Sequence, residues 1–352
     1  MIATGDAPEG GVLGAQPEPT LERRPEPRRG RSRLRLRWES VLVLLLLAIC
    51  AANAAASPYF LDLQNLLDST QSFSEKSMLA LGMALVILGR DIDLSIAAMV
   101  ALCSTAMGWL ATQGVGTAGL LTASVLCGTA LGMFNGGLVA RLGLPAIVVT
   151  IGTVSLFRGI SFIVLGDGAY TQFPEGFDVL GQGYLLGVVP YAFLALLLLA
   201  AGFYLLLHRT RIGRNLYAYG QNPDAARYSG IDVAAHRFWF FTVNGSLSGL
   251  AAAFLTSRIG ATRPNLALGW DLEVIAIVLL GGVGIGGGTG RMSGVILAIF
   301  VMGMLTFGLG LRNVPGIAMS IVVGSLLLLS VALPAVLRKI SSGRSRRESA
   351  GA

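Results

Sequence analysis

Apolar runs of nearly membrane-crossing length recur along this chain, near residues 40–57, 76–92, 94–112, 117–139, 144–165, 185–207, 238–257, 272–289, 293–311 and 315–337. A hydrocarbon core about 30 Å thick takes roughly 20 apolar residues of helix to cross. Within it every backbone amide and carbonyl must be paired inside the protein, which a helix does by itself. The pattern therefore predicts an all-α membrane protein, a polytopic bundle of about ten transmembrane helices. The second and eighth segments are short and interrupted, so each reads either as a full span or as a broken, re-entrant one. Charge is correspondingly scarce: 13% of the 352 residues are charged and 54% hydrophobic, where a soluble domain carries about 25% charged residues.

The charges that remain assign the two sides. Eight arginines lie between Arg23 and Arg37, and the last fifteen residues hold Arg338, Lys339, Arg344, Arg346 and Arg347. Basic clusters beside membrane helices mark the cytoplasmic face and attract anionic lipid. With ten spans both termini are cytoplasmic, and Arg90, Arg141, the 208–237 loop and Arg291 share that side. Asp62, Asp68, Glu75, Asp167, Glu175, Asp178, Asp271 and Glu273 fall outside, with Arg258, Arg263 and Arg312 as exceptions. This makes the chain a multi-pass membrane protein. No folded basic domain follows the arginine run, so no nucleic-acid partner is expected.

Three regions follow. Residues 1–37, rich in proline and arginine, read as a disordered cytoplasmic tail; residues 38–339 as the membrane domain; and residues 340–352 as a basic cytoplasmic tail. The arginines lie too far from the start for a signal peptide, so the first apolar run reads as a retained helix. Glycine numbers 47, about twice the usual share of 7%. Small residues let membrane helices approach closely, and some glycines can serve as hinges. Cys50, Cys103 and Cys127 sit in apolar stretches without paired spacing and read as packing residues.

Catalytic motifs are missing. Gly282, Gly284 and Gly287 match the dinucleotide fingerprint by letter, but no strand precedes them and no acidic residue follows before Glu348. The sequence has no GxxxxGK[ST], HExxH or GxSxG, and its two histidines, His208 and His236, flank a polar loop. No metal, organic cofactor or hydrolytic centre is expected. Ionisable groups at membrane depth draw attention instead. Arg90, Asp91 and Asp93 interrupt an apolar stretch, and Arg158 lies inside the fifth segment. A charge at mid-bilayer costs about 2.5–3.5 kcal/mol on insertion scales, so each must face a partner, a cavity or an interface. Asp93 followed by Leu94 and Ser95 is also what a cap of the third helix looks like. The outer loops at 166–184 and 258–272 carry aromatics among charges, which suits either membrane-interface anchoring or reception of a soluble partner.

The longest polar island, residues 220–232, follows a basic run of His208, Arg209, Arg211 and Arg214, and a new apolar helix opens at about Phe238. On the basic side of a membrane bundle, such a loop suits docking of a cytoplasmic partner. A short helix from Pro223 to Tyr228 is expected there, capped by Asn222 and presenting Ala225 and Ala226 as small contact residues.

Read together, five stretches resemble the permease subunits of bacterial ABC sugar importers of the ribose/xylose/rhamnose/autoinducer-2 type, over residues 40–337. They are Ile92-Asp93-Leu94-Ser95; Gly132-x-x-Asn135-Gly136 with Leu144-Pro145 and Thr150-x-Gly152-Thr153; Arg158-Gly159; the 220–231 loop; and Gly269 through Leu280-Gly281-Gly282 to Gly290-Arg291. The resemblance implies an ABC importer permease fold, a transport subunit that is not itself an enzyme. ATP would be bound and hydrolysed by separate cytoplasmic ATPase subunits. A periplasmic sugar-binding protein would dock outside, and a second permease subunit would complete a homo- or heterodimer. It makes Gly220, Asn222, Ala225, Ala226, Ser229, Gly230 and Ile231 the ATPase-coupling loop. It leaves Asp93, Asn135, Thr150 and Arg158 as candidates for the translocation pathway. The 166–184 stretch is most similar to rhamnose-type permeases, which points to a monosaccharide such as rhamnose or another deoxyhexose or pentose. Arg90 and Asp91 depart from the small residues usual before Ile-Asp-Leu-Ser and suggest an additional ion pair there. Outside the ABC class the rival is a secondary transporter driven by an ion gradient, with Asp91 and Asp93 as its only midplane carboxylates. A permease of branched-chain amino-acid ABC importers is a second alternative.

Overall fold

The computed structural model describes residues 37–326 and 328. The proposed tails therefore lie outside the described residues except for Arg37, as does the end of the last apolar segment. In chain order the helices are α1 (Trp38–Ala56), α2 (Leu63–Leu88), α3 (Ile96–Thr112), α4 (Thr117–Gly136), α5 (Ala146–Leu165), α6 (Asp178–Gln182), α7 (Tyr191–Arg209), α8 (Arg211–Gln221), α9 (Pro223–Tyr228), α10 (Val233–Ile259), α11 (Trp270–Leu280), α12 (Met292–Leu311) and α13 (Gly316–Leu326). A single π-helical turn, Gly137–Arg141, extends α4. Between α6 and α7 lies a two-residue antiparallel hairpin, β1 (Tyr184–Leu185) and β2 (Val189–Pro190), and an isolated bridge joins Tyr170 to Thr262.

Six of these helices are long and apolar enough to cross a bilayer: α1, α4 with its π turn, α5, α7, α10 and α12. The expected count of about ten is reached only by adding α2, α3, α11 and α13, each of which departs from a plain span. Helix α2 starts thirteen residues before the expected 76. Asp62 accepts a hydrogen bond from the Asn65 amide at 3.0 Å and fixes that start. Asp68 and Glu75 therefore lie within the helix, not in the outer loop where their charge suggested. The start of the sixth apolar run, expected at 185, is likewise taken by the hairpin, and α7 begins at Tyr191. Helix α3 has 17 residues, and α11 only 11, about 16 Å of rise.

Helix α2 is the central column. From Ser77 to Leu88 every residue is buried, the mark of a helix enclosed on all sides. It packs against α10, α7, α11 and α12. The closest seam joins α4 to α10, where Gly128, Gly132 and Gly136 recur every fourth residue, the first two against Gly245 and Gly249 and the third against Phe238 and Phe241. A Cβ at Gly128, Gly132 or Gly245 would overlap the facing backbone, so only glycine allows this approach. Ser124 Oγ donates to the Gly249 carbonyl at 2.7 Å and adds a polar tie to the seam.

Charges at depth pair between helices. Glu75, fully buried on α2, takes Arg258 of α10 at 2.6 Å, which accounts for one arginine out of place on the acidic side. Lys76 pairs with Glu273 of α11 and lies 5.2 Å from the centre of the Trp270 ring. Helices α1 and α12 run parallel: Glu39 meets Arg291 at the start of α12 at 3.5 Å, and Asn53 Nδ2 donates to the Met304 carbonyl at 3.0 Å, while Trp38 Nε1 donates to the Leu280 carbonyl at the end of α11 at 2.9 Å.

Candidate functional site

At one end of the bundle the polar island is a built element. Helix α7 stops at Thr210, whose Oγ1 donates back to the Leu206 carbonyl at 2.7 Å. Helix α8 then lies as an amphipathic rod with Gly213, Leu216, Tyr219 and Gly220 buried. Arg211 and Arg214 stay on the exposed face. Asn222 Oδ1 accepts from the amides of Asp224 and Ala225, each at 3.1 Å, and starts α9. Pro223 occupies the first helical position, where the absent amide costs nothing.

Seven residues later the chain turns at Gly230, φ +81°. The Ile231 amide donates to the Ala226 carbonyl at 3.0 Å and the Gly230 amide to that of Arg227 at 3.0 Å, a Schellman-type stop that favours glycine. Asp232 then caps α10 through the Ala235 amide at 2.9 Å. Asn222, Ala225, Ser229 and Gly230 are exposed, Ile231 is half-buried, and Tyr228 is 94% exposed. Ala226 is buried. It faces the bundle, where exposure beside Ala225 was expected, because this side of α9 packs against α8 and α10.

The root of this element is locked to the bundle by backbone. The amide of Gly288, in the glycine loop 281–291 between α11 and α12, donates to the Leu88 carbonyl of α2 at 2.8 Å. Gly220 fits against both: a Cβ there would lie 2.6 Å from the Gly288 nitrogen and overlap the Leu88 carbonyl. Tyr217 donates to the Gly290 carbonyl at 2.9 Å. Tyr219 is enclosed against Gly89, and burial pushes its phenol well above the ordinary tyrosine range. Of the glycines that mimic a dinucleotide loop, Gly287 lies against the Leu88 carbonyl and Arg90, and Gly282 against the Trp38 ring.

The break at 89–95 between α2 and α3 adjoins the same junction. Arg90 sits at φ +71°, with the Asp91 amide reaching the Val86 carbonyl at 3.1 Å. Arginine therefore stands where a helix stop favours glycine. Asp91 pairs with Arg237 of α10 through two bonds of 2.6 and 2.7 Å. The additional ion pair is Asp91–Arg237 and not Arg90–Asp91: the left-handed turn carries Arg90 away to an exposed position.

Three of the four pathway candidates gather here. Asp93 Oδ1 accepts from the amide and hydroxyl of Ser95 at 2.9 and 2.6 Å, and its Oδ2 from Asn244 at 3.0 Å. Asn135 Nδ2 donates to Ser95 Oγ at 2.8 Å, and Thr150 Oγ1 reaches the Ile92 carbonyl at 3.4 Å. All are buried, so this knot ties the α2–α3 break to α4, α5 and α10. Asp93 orders Ser95 and leaves the first amides of α3 uncapped. Arg158 lies apart, towards the other end of α5, and donates to the carbonyls of Pro264 and Leu266 at 2.7 and 3.0 Å. A cavity of about 440 Å³ opens elsewhere, between α2, α11, α12 and α13 around Lys76 and Glu273, and none of the four candidates lines it.

Sequence reasoning missed Asp91's partner Arg237, Asn244 and Tyr228. Each carried a signal: Arg237 stands at the mouth of an apolar run, Asn244 inside it, and Tyr228 is an aromatic in a polar loop.

The profile of the family described as branched-chain amino acid transport system / permease component matches residues 65–331. The autoinducer 2 import system permease protein LsrC of Klebsiella pneumoniae subsp. pneumoniae is 36% identical over 250 residues, 71% of this chain and 72% of that one. LsrC of Escherichia coli K12 is 36% identical over 245 residues, covering 68% and 71%. Among solved structures, a metal-chelate type ABC transporter in an inward-facing conformation aligns at a TM-score of 0.44 and 17% identity, over 86% of this chain and 98% of that one. With three quarters of its length inside the profile and these relatives beside it, the chain is a multi-pass membrane protein that belongs to the branched-chain amino acid transport system / permease component family.

Proposed function

We propose that the chain is the permease subunit of an ATP-binding-cassette importer that carries a monosaccharide, a deoxyhexose such as rhamnose or a pentose, into the cytoplasm. The observation that carries this reading is the α8–α9 element: an exposed, capped helix at the basic end, rooted backbone-to-backbone in α2 and the glycine loop. The relatives' role in autoinducer 2 import supports a sugar-like cargo. In this reading the basic end is cytoplasmic and both termini lie there. Residues Asn222, Ala225, Ser229 and Gly230 meet an ATPase subunit, with Tyr228 as the aromatic anchor of the contact. Gly220, Ala226 and Ile231 hold the element in shape. ATP-driven closure of the ATPase pair pushes α9, and the backbone junction passes the displacement to α2 and α11. A periplasmic sugar-binding protein docks on the opposite face, and a second permease subunit completes the pathway. Arg158 borders that pathway, while Asp93, Asn135 and Thr150 reach it only when the contacts around α5 open.

The test is purification of the tagged full-length chain with its partners, followed by uptake in proteoliposomes. An ATPase subunit is expected at equal stoichiometry, with uptake of labelled monosaccharide that needs ATP. Ala225→Glu is expected to release the ATPase and leave the chain in the membrane. Ala226, being buried, tests packing instead. Uptake driven by an ion gradient without ATP overturns the reading, and saturable uptake of leucine in place of a sugar overturns the cargo.

A further inference from the structure

We propose that the groove between the N-terminal turns of α1 and α12 is a binding site for one anionic phospholipid. The groove encloses about 570 Å³, with Arg37 and Ser40 on one wall and Arg291 and Ser293 on the other. Its floor is Val43 and Leu44, which continue into the exposed apolar face of α1. Polar and apolar linings are thus ordered along one axis, basic at the helix ends and greasy below, as a phospholipid is.

The charge favours an anion. Glu39 is the acidic group in the groove, and it meets Arg291 at 3.5 Å with Arg291 still 56% exposed. One carboxylate against two guanidiniums leaves a net positive charge. Both flanking helices also start here, and the partial positive ends of their backbones add to the field. Arginine is suited to phosphate because its planar fork can hold two oxygens at once. The occupant is a lipid and not a soluble anion because the floor lies on the membrane-facing side of α1. Only about a tenth of that helix's apolar window is buried in the protein. Trp38 stands at the same level, as aromatic side chains do at a membrane surface.

The site is joined to the moving parts. Trp38 donates to the Leu280 carbonyl, and a Cβ on Gly282 would lie 2.7 Å from the indole. A second cleft of about 230 Å³ shares Glu39 and Arg291 and reaches Gly281, Gly282 and Gly290. A lipid seated on Arg37 and Arg291 therefore steadies the glycine loop that contacts α2 and α8. The inference stands whatever the cargo.

Native mass spectrometry of the full-length chain, delipidated in mild detergent and titrated with phosphatidylglycerol or phosphatidylcholine, tests it. One phosphatidylglycerol is expected to bind ahead of phosphatidylcholine. Arg37→Gln and Arg291→Gln are each expected to weaken it about fivefold, while Arg291→Lys keeps most of the binding. Leu44→Gln is expected to weaken the lipid without changing the charge. Melting curves taken without lipid show whether the variants are folded, and Arg37→Gln, at an exposed position, keeps the test open if Arg291→Gln is not. Equal retention by the native chain and Arg37→Gln overturns the proposal. So does displacement by glycerol phosphate at the lipid's own concentration, which assigns the groove to a soluble anion.

Discussion

The two ends of the bundle are held together in different ways. At the basic end, α2, α8 and the glycine loop meet through main chain: the Gly288 amide on the Leu88 carbonyl, with Gly220 pressed between. At the opposite end there is one backbone bridge, the Thr262 amide on the Tyr170 carbonyl at 3.0 Å, and the loops otherwise hang largely on side chains. Arg158 grips the Pro264 and Leu266 carbonyls, Ser257 Oγ takes the Gly181 amide, and Tyr184 donates to Asp68. Main-chain contacts have no rotamers with which to absorb a displacement, whereas a long side chain can swing and find a new partner. A push on α9 should therefore arrive undiminished at α2, while the far end keeps the freedom to open and reclose. Under the proposed function, stiffness sits where the ATPase acts and adaptability where cargo arrives.

A matched pair of glycines puts that contrast to a direct test and carries the largest expected effect. Gly288 and Gly269 both have left-handed backbones, φ +64° and +84°. A Cβ at Gly288 would lie 2.6 Å from the Gly220 carbonyl carbon, while one at Gly269 meets open space. Gly288→Ala should cost about 3 kcal/mol, overpacking added to the left-handed penalty. Gly269→Ala should cost only about 1 kcal/mol, the left-handed penalty alone. Thermal melting in detergent, with uptake measured beside it, checks both. Equal melting losses for the two variants would show that the basic junction yields as readily as the far loop.

Much of this division could be read from the sequence, though unevenly. The apolar runs placed α1, α4, α5, α7, α10 and α12 because a span that faces lipid must be continuously apolar. They misplaced the start of α2 because that helix is sheathed by other helices and can carry Asp68, Glu75 and Lys76 on partners instead of in water. The capped helix after Asn222 was legible, since Asn-Pro is a local helix-start signal and the cap needs no tertiary contact. The inward turn of Ala226 was not, because which face of α9 is covered depends on how the helix docks against α8 and α10. Arg237's grip on Asp91 spans 146 residues, and no periodicity carries information over that distance.

At the opposite end, Arg158→Gln should have a smaller effect than Gly288→Ala. Two bonds from a charged donor to buried carbonyls are lost, each worth about 1.5 kcal/mol. A shortened side chain and water can recover part of that in a half-exposed site. The loop at 260–269 carries Ala267 at φ +57°, a strained conformation that relaxes once the guanidinium lets go. Faster hydrogen exchange confined to this loop is expected, with a melting loss of about 1–2 kcal/mol. Exchange that spreads instead to α2 and the glycine loop would show that the far end is wired to the basic end more stiffly than its side-chain bonds allow.

The smallest effect on stability is expected at the tip of the basic end, and there stability and function should part company. Asn222→Ala removes an oxygen that holds two amides, those of Asp224 and Ala225, a loss of about 1 kcal/mol. Helix α9 has six residues, so it cannot spread that loss along its length, and its far end is pinned separately by Gly230. The melting temperature should hardly move, because α9 stands out from the bundle. The folding equilibrium constant of α9 should fall about fivefold, the equivalent of 1 kcal/mol, and ATP-dependent uptake should fall with the folded fraction. Asn222→Asp keeps the acceptor and adds a negative charge at a helix start, so it should restore both. If alanine and aspartate variants transport alike, the capped shape of α9 is not what the partner reads, and the push enters the bundle elsewhere.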